Sequence, residues 1–373
     1  MAYPTKIALV QDWLTGMRGG EKVLEVFCEL YPKATLFTLL HNKGAMSATI
    51  ERMKIQTSFI DRLPLKGEKY RNYLPLFPRA IESFDFSEYD LILSSSHCVA
   101  KGASPRPGAL HICYCHTPMR YVWELYEEYF GKGRAGLTTR AAMSFFAPQL
   151  RKWDVRSSSR VHHFVANSRH VARRIQSYYG RTAEVLHAPV DTSLFQLSER
   201  DEGYYLIVSA LVPYKRVDLA IEVFNQRTER LVIVGKGPDL AKLSAQAARN
   251  IEFLGWQPDT DLAKLYAGCR ALIFPGVEDF GIVPLEAMAS GKPVIAYAEG
   301  GALETVVGEG ENATGVFFRE QTTSALNVAL HKAAAIRFDP RSIRSRAEEF
   351  GREKFKRAIE SYVREKIERH YGS

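Results

Sequence analysis

What this 373-residue chain has little of narrows its function first. No apolar run reaches the roughly 20 residues of a bilayer-spanning helix. Met1-Ala2-Tyr3-Pro4-Thr5-Lys6 leads straight into the strand-like run Ile7 to Val10 and has no apolar signal-peptide core, which predicts a cytoplasmic protein. Cysteine is scarce, with five residues at 28, 98, 113, 115 and 269. Cys113 and Cys115 have no second pair to complete a zinc set, so reduced thiols are expected and neither disulfides nor metal ligation. No repeat recurs at a solenoid period and no tract is of low complexity, which excludes stacked-repeat and disordered classes. Acidic charge is also short: 42 Asp and Glu stand against 50 Lys and Arg.

The basic excess is concentrated. Residues 101–181 hold 14 Lys/Arg and 4 Asp/Glu, a net of +10 against +8 for the whole chain. Such a region suits anionic membranes or phosphorylated small molecules. It forms no nucleic-acid reading motif, so no nucleic-acid partner is expected. Lys132, Arg134, Arg151, Lys152 and Arg156 are candidates for weak, peripheral contact with an anionic membrane, and Trp153 is either an interfacial anchor or a core residue.

Along the chain, short apolar runs alternate with helix-length segments. Strands are expected at Lys6–Val10, Leu36–Leu40, Asp90–Ser94, Leu110–Cys115 and Val161–Ala166, then at Tyr204–Ser209, Leu231–Val234, Ile251–Phe253, Ala271–Phe274, Pro293–Ala296 and Gly315–Phe318. That alternation predicts βαβ units on parallel sheets, an α/β class, with the loop after each strand at one sheet edge. The polar run Ser198-Glu199-Arg200-Asp201-Glu202 interrupts the pattern and marks a boundary between two domains. The final charged segment carries Phe355, Ile359, Val363 and Ile367 at four-residue spacing, a stripe suited to docking on a surface.

Several loop residues suit an anionic ligand. Gly19-Gly20 opens a helix after the first strand, where backbone amides can approach phosphate. It is neither a dinucleotide fingerprint nor a P-loop, and a plain tight turn is an equal alternative. The Gly235-Lys236-Gly237 turn has the same two readings. His116 lies just past a strand end, where open α/β sheets bind ligands, and reads either as a base or as a satisfied structural histidine. Lys215 and Arg216 occupy the corresponding place in the second half, as a phosphate clamp or as surface charge. Glu278 lies in a glycine-bearing loop, and Glu286 lies inside the apolar helix that follows, where a carboxylate must find a partner.

The combination resembles the retaining, nucleotide-sugar-dependent glycosyltransferases of family 4. Glu278 and Glu286, within Glu278-Asp279-Phe280-Gly281 and Glu286-Ala287-Met288-Ala289-Ser290-Gly291-Lys292-Pro293-Val294, are similar to the family's paired-glutamate motif. Asp12-Trp13-Leu14, Gly19-Gly20-Glu21-Lys22-Val23 and Tyr114-Cys115-His116-Thr117-Pro118-Met119-Arg120-Tyr121 resemble the subset of bacterial O-antigen and exopolysaccharide mannosyltransferases. The resemblance implies a GT-B fold of two Rossmann-like domains facing across a cleft: an acceptor-side domain at 1–195, a donor-nucleotide domain at 196–350, and a helix at 351–373 packing back on the first. It implies a hexose transferred with retention, foremost mannose from GDP-mannose, to a saccharide or lipid-linked saccharide in cell-surface polysaccharide synthesis. It assigns Glu286 to the donor ribose, Glu278 to the sugar ring, Lys215 and the Gly19-Gly20 amides to the diphosphate, and His116 to the transferred sugar and acceptor, with Gly300 and Gly301 near the donor. Arg216 is a further donor-binding candidate. No DxD-like pair sits in a site loop, so neither a metal nor a cofactor is expected. The expected location is the cytoplasm, at the inner face of the cell membrane where the enzyme is peripherally attached.

One position departs from the family. Ala210 stands where the family usually has an arginine, which removes a guanidinium from the diphosphate site. Two other functions stand beside the first. One is a UDP-sugar enzyme of the same fold. The other is a non-catalytic sugar-nucleotide or membrane-binding protein, toward which Ala210 alone points.

Overall fold

The structure, a computed structural model, describes residues 6–133 and 136–372. Met1 to Thr5 and the membrane candidate Arg134 lie outside the described residues. The chain divides into two compact units, Met1–Ala188 with Phe355–Ser373, and Pro189–Lys354.

The first unit is built on seven strands: β1 (Ile7–Gln11), β2 (Thr35–Thr38), β3 (Lys54–Thr57), β4 (Leu91–Ser96), β5 (Leu110–Cys115), β6 (His163–Ala166) and β7 (Ala183–Val185). All pair in parallel, in the order β3-β2-β1-β4-β5-β6-β7. The second unit has β8 (Tyr204–Val208), β9 (Arg230–Val234), β10 (Ile251–Gly255), β11 (Ala271–Phe274), β12 (Val294–Tyr297) and β13 (Gly315–Phe318). These also pair in parallel, in the order β10-β9-β8-β11-β12-β13. Each order reverses once, between β1 and β4 and between β8 and β11. That reversal opens a crevice at the C-terminal strand ends, where doubly wound sheets bind ligands.

The central strands are apolar because helices cover both sheet faces. Leu9, Leu93 and Ile112 in the first sheet and Leu206, Leu272 and Ile295 in the second are fully buried. β4 runs two residues beyond the expected Asp90–Ser94, through Ser96. Its polar end is tolerated because every hydroxyl is used. Ser94 Oγ lies 2.9 Å from His111 Nε2, Ser95 Oγ lies 2.8 Å from His116 Nε2, and Ser96 Oγ accepts from the Lys101 amide. Buried hydroxyls left without such partners would cost about 1–3 kcal/mol each.

Helix Leu137–Ser157 packs through Met143, Ala147, Leu150 and Trp153. Trp153 is therefore a core residue and not an interfacial anchor. It is buried and donates Nε1 to Glu82. Behind it the buried Lys101 ammonium reaches the Asp154 carboxylate at 3.0 Å, the Asp154 carbonyl and Ser157 Oγ. The last helix, Arg352–Tyr371, buries Phe355, Ile359, Val363 and Ile367. Within the first unit Phe355 packs edge-on to Tyr114, Lys356 pairs with Glu29 at 2.9 Å, and Tyr371 donates to the Asp90 carbonyl. All five cysteines are buried free thiols. Burial pushes Cys113 up to about 12, which leaves it an inert packing residue.

Candidate active site

In the first unit the site residues gather at the ends of β1, β4 and β5. Gly19 and Gly20 begin helix Gly19–Leu30. A Cβ on Gly20 would come within 3.5 Å of His116 Nε2 and 3.7 Å of Gln11 Nε2, so the helix start and His116 share one corner of the crevice. The His116 amide donates to the Ser96 carbonyl, and Asn167 Nδ2 donates to the His116 carbonyl. Its ring is held by Ser95 and remains 9% exposed. His111, on the same strand, is the satisfied core histidine: it is wholly buried between Ser94 and the Arg160 carbonyl, and burial pushes it down to about 3.

Asp12 was legible only as part of a motif, and the structure gives it a physical role. Its carboxylate accepts the amides of His97 (2.7 Å), Cys98 (3.0 Å), Val99 (2.6 Å) and Ala100 (2.8 Å), and lies 3.0 Å from His97 Nδ1. It therefore fixes the turn that follows β4. Trp13 packs edge-on to His97 at 4.4 Å between ring centroids.

Glu21 is the other buried acid here. It accepts from the Arg18 amide (3.1 Å) and from Gln11 Nε2 (3.3 Å). Burial, opposed by those hydrogen bonds and by Arg18, pushes its carboxyl up to about 7. Gln11 Oε1 is buried without a hydrogen-bond partner. A protonated Glu21 can donate to it once the amide turns over, which favours the neutral form further. A raised carboxyl pKa stabilises the fold at low pH, and that stability is lost as pH rises. Unfolding free energy should therefore fall between about pH 4.5 and 7 by up to ~3 kcal/mol from this group. Glu21→Gln should flatten that segment of a urea-denaturation pH series. A slope unchanged by the substitution would remove the assignment.

In the second unit the loops after β8 and β11 meet at the reversal point. Pro213–Lys215 forms a 3₁₀ turn, and Arg216 follows in the left-handed region at φ 52° as N-cap of helix Val217–Phe224. A non-glycine residue held there carries strain of about 1–3 kcal/mol. The two neighbouring side chains diverge. Lys215 Nζ contacts Glu278 Oε1, joining two residues far apart in sequence. Arg216 turns to Asp218 and to Gln321 Oε1 at 3.2 Å, and Gln321 in turn donates to the Pro275 carbonyl. Ala210 is exposed on the same loop.

Glycines make this meeting possible. A Cβ on Gly276 would stand 2.8 Å from Lys215 Cα, one on Gly300 2.4 Å from the Glu278 carbonyl oxygen, and one on Gly301 2.2 Å from that of Phe280. The Gly301 amide donates to the Glu278 carbonyl. Gly300 and Gly301 thus support the Glu278 loop from behind. Gly235 and Gly237 are likewise required for packing, since their Cβ atoms would fall 1.8 Å and 2.2 Å from the carbonyl oxygens of Ser209 and Leu211.

Glu286 lies in helix Ile282–Ala289, which Gly281 opens at φ 84°. It is buried, and Tyr266 donates its hydroxyl to Oε2 at 2.9 Å. Burial and the adjacent carboxylate push the Tyr266 phenol well above its usual range, so it remains a donor. Tyr266 was missed in the sequence because a tyrosine inside helix Asp259–Gly268 reads as ordinary core. The structure thus brings Lys215 and Glu278 together, places Glu286 on the adjoining helix, and groups Gly20 with His116 in the first unit.

Comparison with known proteins agrees with this architecture. Residues 26–194 match the family model Glycosyltransferase Family 4, and residues 191–354 match Glycosyl transferases group 1. The chain is similar to an uncharacterized glycosyltransferase of Methanocaldococcus jannaschii, 32% identical over 140 residues, 36% of this chain and 37% of the relative. It is also similar to the GDP-mannose-dependent alpha-(1-6)-phosphatidylinositol monomannoside mannosyltransferase of Mycolicibacterium smegmatis, 32% identical over 206 residues, 47% of this chain and 52% of the relative. The matched part thus spans between about a third and a half of these relatives' lengths. Among solved structures, the Anabaena Alr3699/HepE protein in complex with UDP superposes with a TM-score of 0.69, covering 97% of this chain and 100% of that one at 17% identity. Two matched glycosyltransferase domains in succession, on the paired Rossmann-like units of a GT-B fold, place this chain among the glycosyltransferases of the family 4 type.

Proposed function

We propose that the chain is a retaining hexosyltransferase that moves mannose from GDP-mannose to a saccharide or lipid-linked saccharide acceptor in cell-surface polysaccharide synthesis. The observation that carries this reading is the Lys215–Glu278 pair at the reversal point of the second sheet, with Glu286 on the helix that follows. A cation and a carboxylate at that edge suit the two ends of a sugar–phosphate bond. Breaking the bond develops negative charge on the leaving diphosphate, which the Lys215 ammonium stabilises, while Glu278 lies beside the sugar. Glu286, oriented by Tyr266, accepts the ribose hydroxyls of the nucleotide. In the first unit His116, set by Ser95, serves the sugar and acceptor, and the Gly19-Gly20 amides suit an anionic group. Lys215 supplies the positive charge at the diphosphate, so turnover needs no metal and proceeds in the cytoplasm without a cofactor. Arg216, engaged by Asp218 and Gln321, is assigned to bracing the loop, and the position of Ala210 contributes no charge.

A second reading is favoured by one observation. The Anabaena protein with the same fold is in complex with UDP, whereas the mycobacterial relative is named for GDP-mannose. Calorimetric titration of GDP against UDP, followed by a product assay with both classes of sugar nucleotide in excess EDTA, separates the two. Tighter GDP binding and EDTA-resistant mannosyl transfer are expected. Preference for UDP would move the assignment to a UDP-sugar enzyme, and no turnover with any donor would leave a binding protein. In the same titration Glu286→Ala should weaken the preferred nucleotide roughly ten- to hundredfold, the value of a hydrogen bond to a charged group. Unchanged affinity would remove the ribose role.

A further inference from the structure

The second unit holds a cavity of about 790 Å³ that the donor assignment leaves unused. It lies where β8, β11 and β12 begin, between the linker 198–201, the turn 291–293 and the joint 336–340. Lys215 and Glu278 follow the opposite ends of β8 and β11, and the four residues of β11 alone put ~13 Å between the two edges. The linker is fixed over the strand starts, because the Ser198 amide donates to the Ser290 carbonyl (3.1 Å) and Ser198 Oγ to the Ala267 carbonyl (2.8 Å). The floor is apolar and includes Tyr205, Ala271, Ile336 and Phe338. Four cations also line the cavity: Arg200, Arg270, Lys292 and Arg337. Arg270 is neutralised, since its Nε donates to Asp201 at 2.8 Å and its guanidinium lies over the Tyr205 ring. The other three have no carboxylate within ion-pair distance among the described residues. Lys292 is the least solvated of them. It is 5% exposed, and its ammonium has one hydrogen-bond acceptor among the described residues, the Arg200 carbonyl. An ammonium carries three donors, so two are left for a ligand. Burial pushes the Lys292 pKa below the ordinary lysine value, against the pull of Cys269, Asp201 and Glu202. The remaining carboxylates at the cavity are Asp339, turned to the amides of Arg341 and Ser342, and the exposed Glu199.

We propose that this cavity is a second ligand site, separate from the sugar-nucleotide site, and that it takes a small phosphate monoester with an apolar body. A buried ammonium short of acceptors is stabilised by an anion that supplies them. Three cations without carboxylate partners suit the two charges and three free oxygens of a phosphate monoester better than a single carboxylate. The apolar floor takes the organic part, and the volume falls within the ~300–1,000 Å³ of small-molecule sites. The site serves binding and not transfer, because it opens at the strand starts, away from the Lys215–Glu278 pair. It engages none of the residues given to donor or acceptor, so it stands apart from those assignments.

The test is calorimetric titration of phenyl phosphate into the full chain, alone and saturated with whichever of GDP and UDP binds tighter. Saturable binding at one site is expected in both cases, with weaker binding of inorganic phosphate, which lacks the apolar body, and of benzoate, which lacks the second charge. Lys292→Met should weaken phenyl phosphate at least roughly tenfold, the value of one hydrogen bond between charged groups. Arg200→Glu with Arg337→Glu should weaken it likewise. Both arginines are exposed, so circular dichroism and nucleotide affinity should match the unsubstituted protein, and this pair decides the matter where Lys292→Met disturbs the fold. Ala334→Trp, at an exposed position of the cavity wall, should exclude the probe with every cation in place. Binding abolished by the nucleotide would put the phosphate in the donor site and overturn the proposal. Benzoate bound as tightly as phenyl phosphate would remove the phosphate assignment. No binding of phenyl phosphate, or arginine and Ala334 variants that bind it like the parent, would remove the site.

Discussion

Lys215→Met is expected to lower kcat/KM for the sugar nucleotide by about two to three orders of magnitude, the usual effect of removing one preorganised donor from a developing anion. The argument rests on placement. Lys215 is held by a 3₁₀ turn ahead of a strained Arg216, and its backbone is pressed against Gly276, so its ammonium is aimed at the Glu278 loop before any ligand arrives. No other cation in that loop takes over, since Arg216 is engaged elsewhere and position 210 is an alanine. Steady-state kinetics of the variant give the test. A loss smaller than tenfold would show that another group carries the diphosphate charge. Combining the change with Glu278→Gln separates catalysis from stability. If leaving Glu278 without its cation were the whole effect, the second substitution would restore turnover, and it is expected not to.

The second large effect concerns the fold. Asp12→Asn should destabilise the first unit by about 3–5 kcal/mol, the magnitude found when one partner of a buried charged network is removed. Four backbone N–H groups and His97 point at the two carboxylate oxygens. An asparagine presents an NH₂ to half of these donors, so amides are left facing amides in a buried place. Native-state hydrogen exchange at residues 97–100 reads the change locally. Protection there equal to that of the parent would disprove the role. Weakened protection with intact exchange in Tyr204–Val208 would confine the damage to the first unit.

The doubly wound sheets were readable because their inner strands are short apolar runs, each ended by glycine, proline or a polar turn. β3 was not, since Lys54-Ile55-Gln56-Thr57 is an edge strand with one apolar residue and largely exposed side chains. Helix Leu137–Ser157 was also obscured. Its packing positions keep helical spacing, but the exposed Leu137, Phe145 and Val155 blur the contrast between its faces. At the site, residue types and their positions after strands were legible, whereas their pairings were not. The Lys215–Glu278 contact depends on two loops made neighbours by the reversal of strand order, and Tyr266 reaches Glu286 from another helix. Glycines told least. Gly20 stands open beside His116, whereas Gly235, Gly237, Gly300 and Gly301 are required by backbone oxygens that no local pattern announces.

The last helix has a consequence for how the protein is made. The first unit contains residues from both ends of the described chain, because Phe355 onward belongs to it while Pro189–Lys354 forms the other unit. During translation the sheet of the first unit leaves the ribosome complete, but the apolar strip that Phe355, Ile359, Val363 and Ile367 cover stays bare until the second unit has been synthesised. At about 5–20 residues per second that interval is on the order of ten seconds or more. Throughout it the nascent first unit lacks the apolar side chains of its last helix. A chain terminated ahead of Arg352 lacks that cover permanently, so truncation there is expected to expose apolar surface of the first unit while leaving every candidate site residue in place.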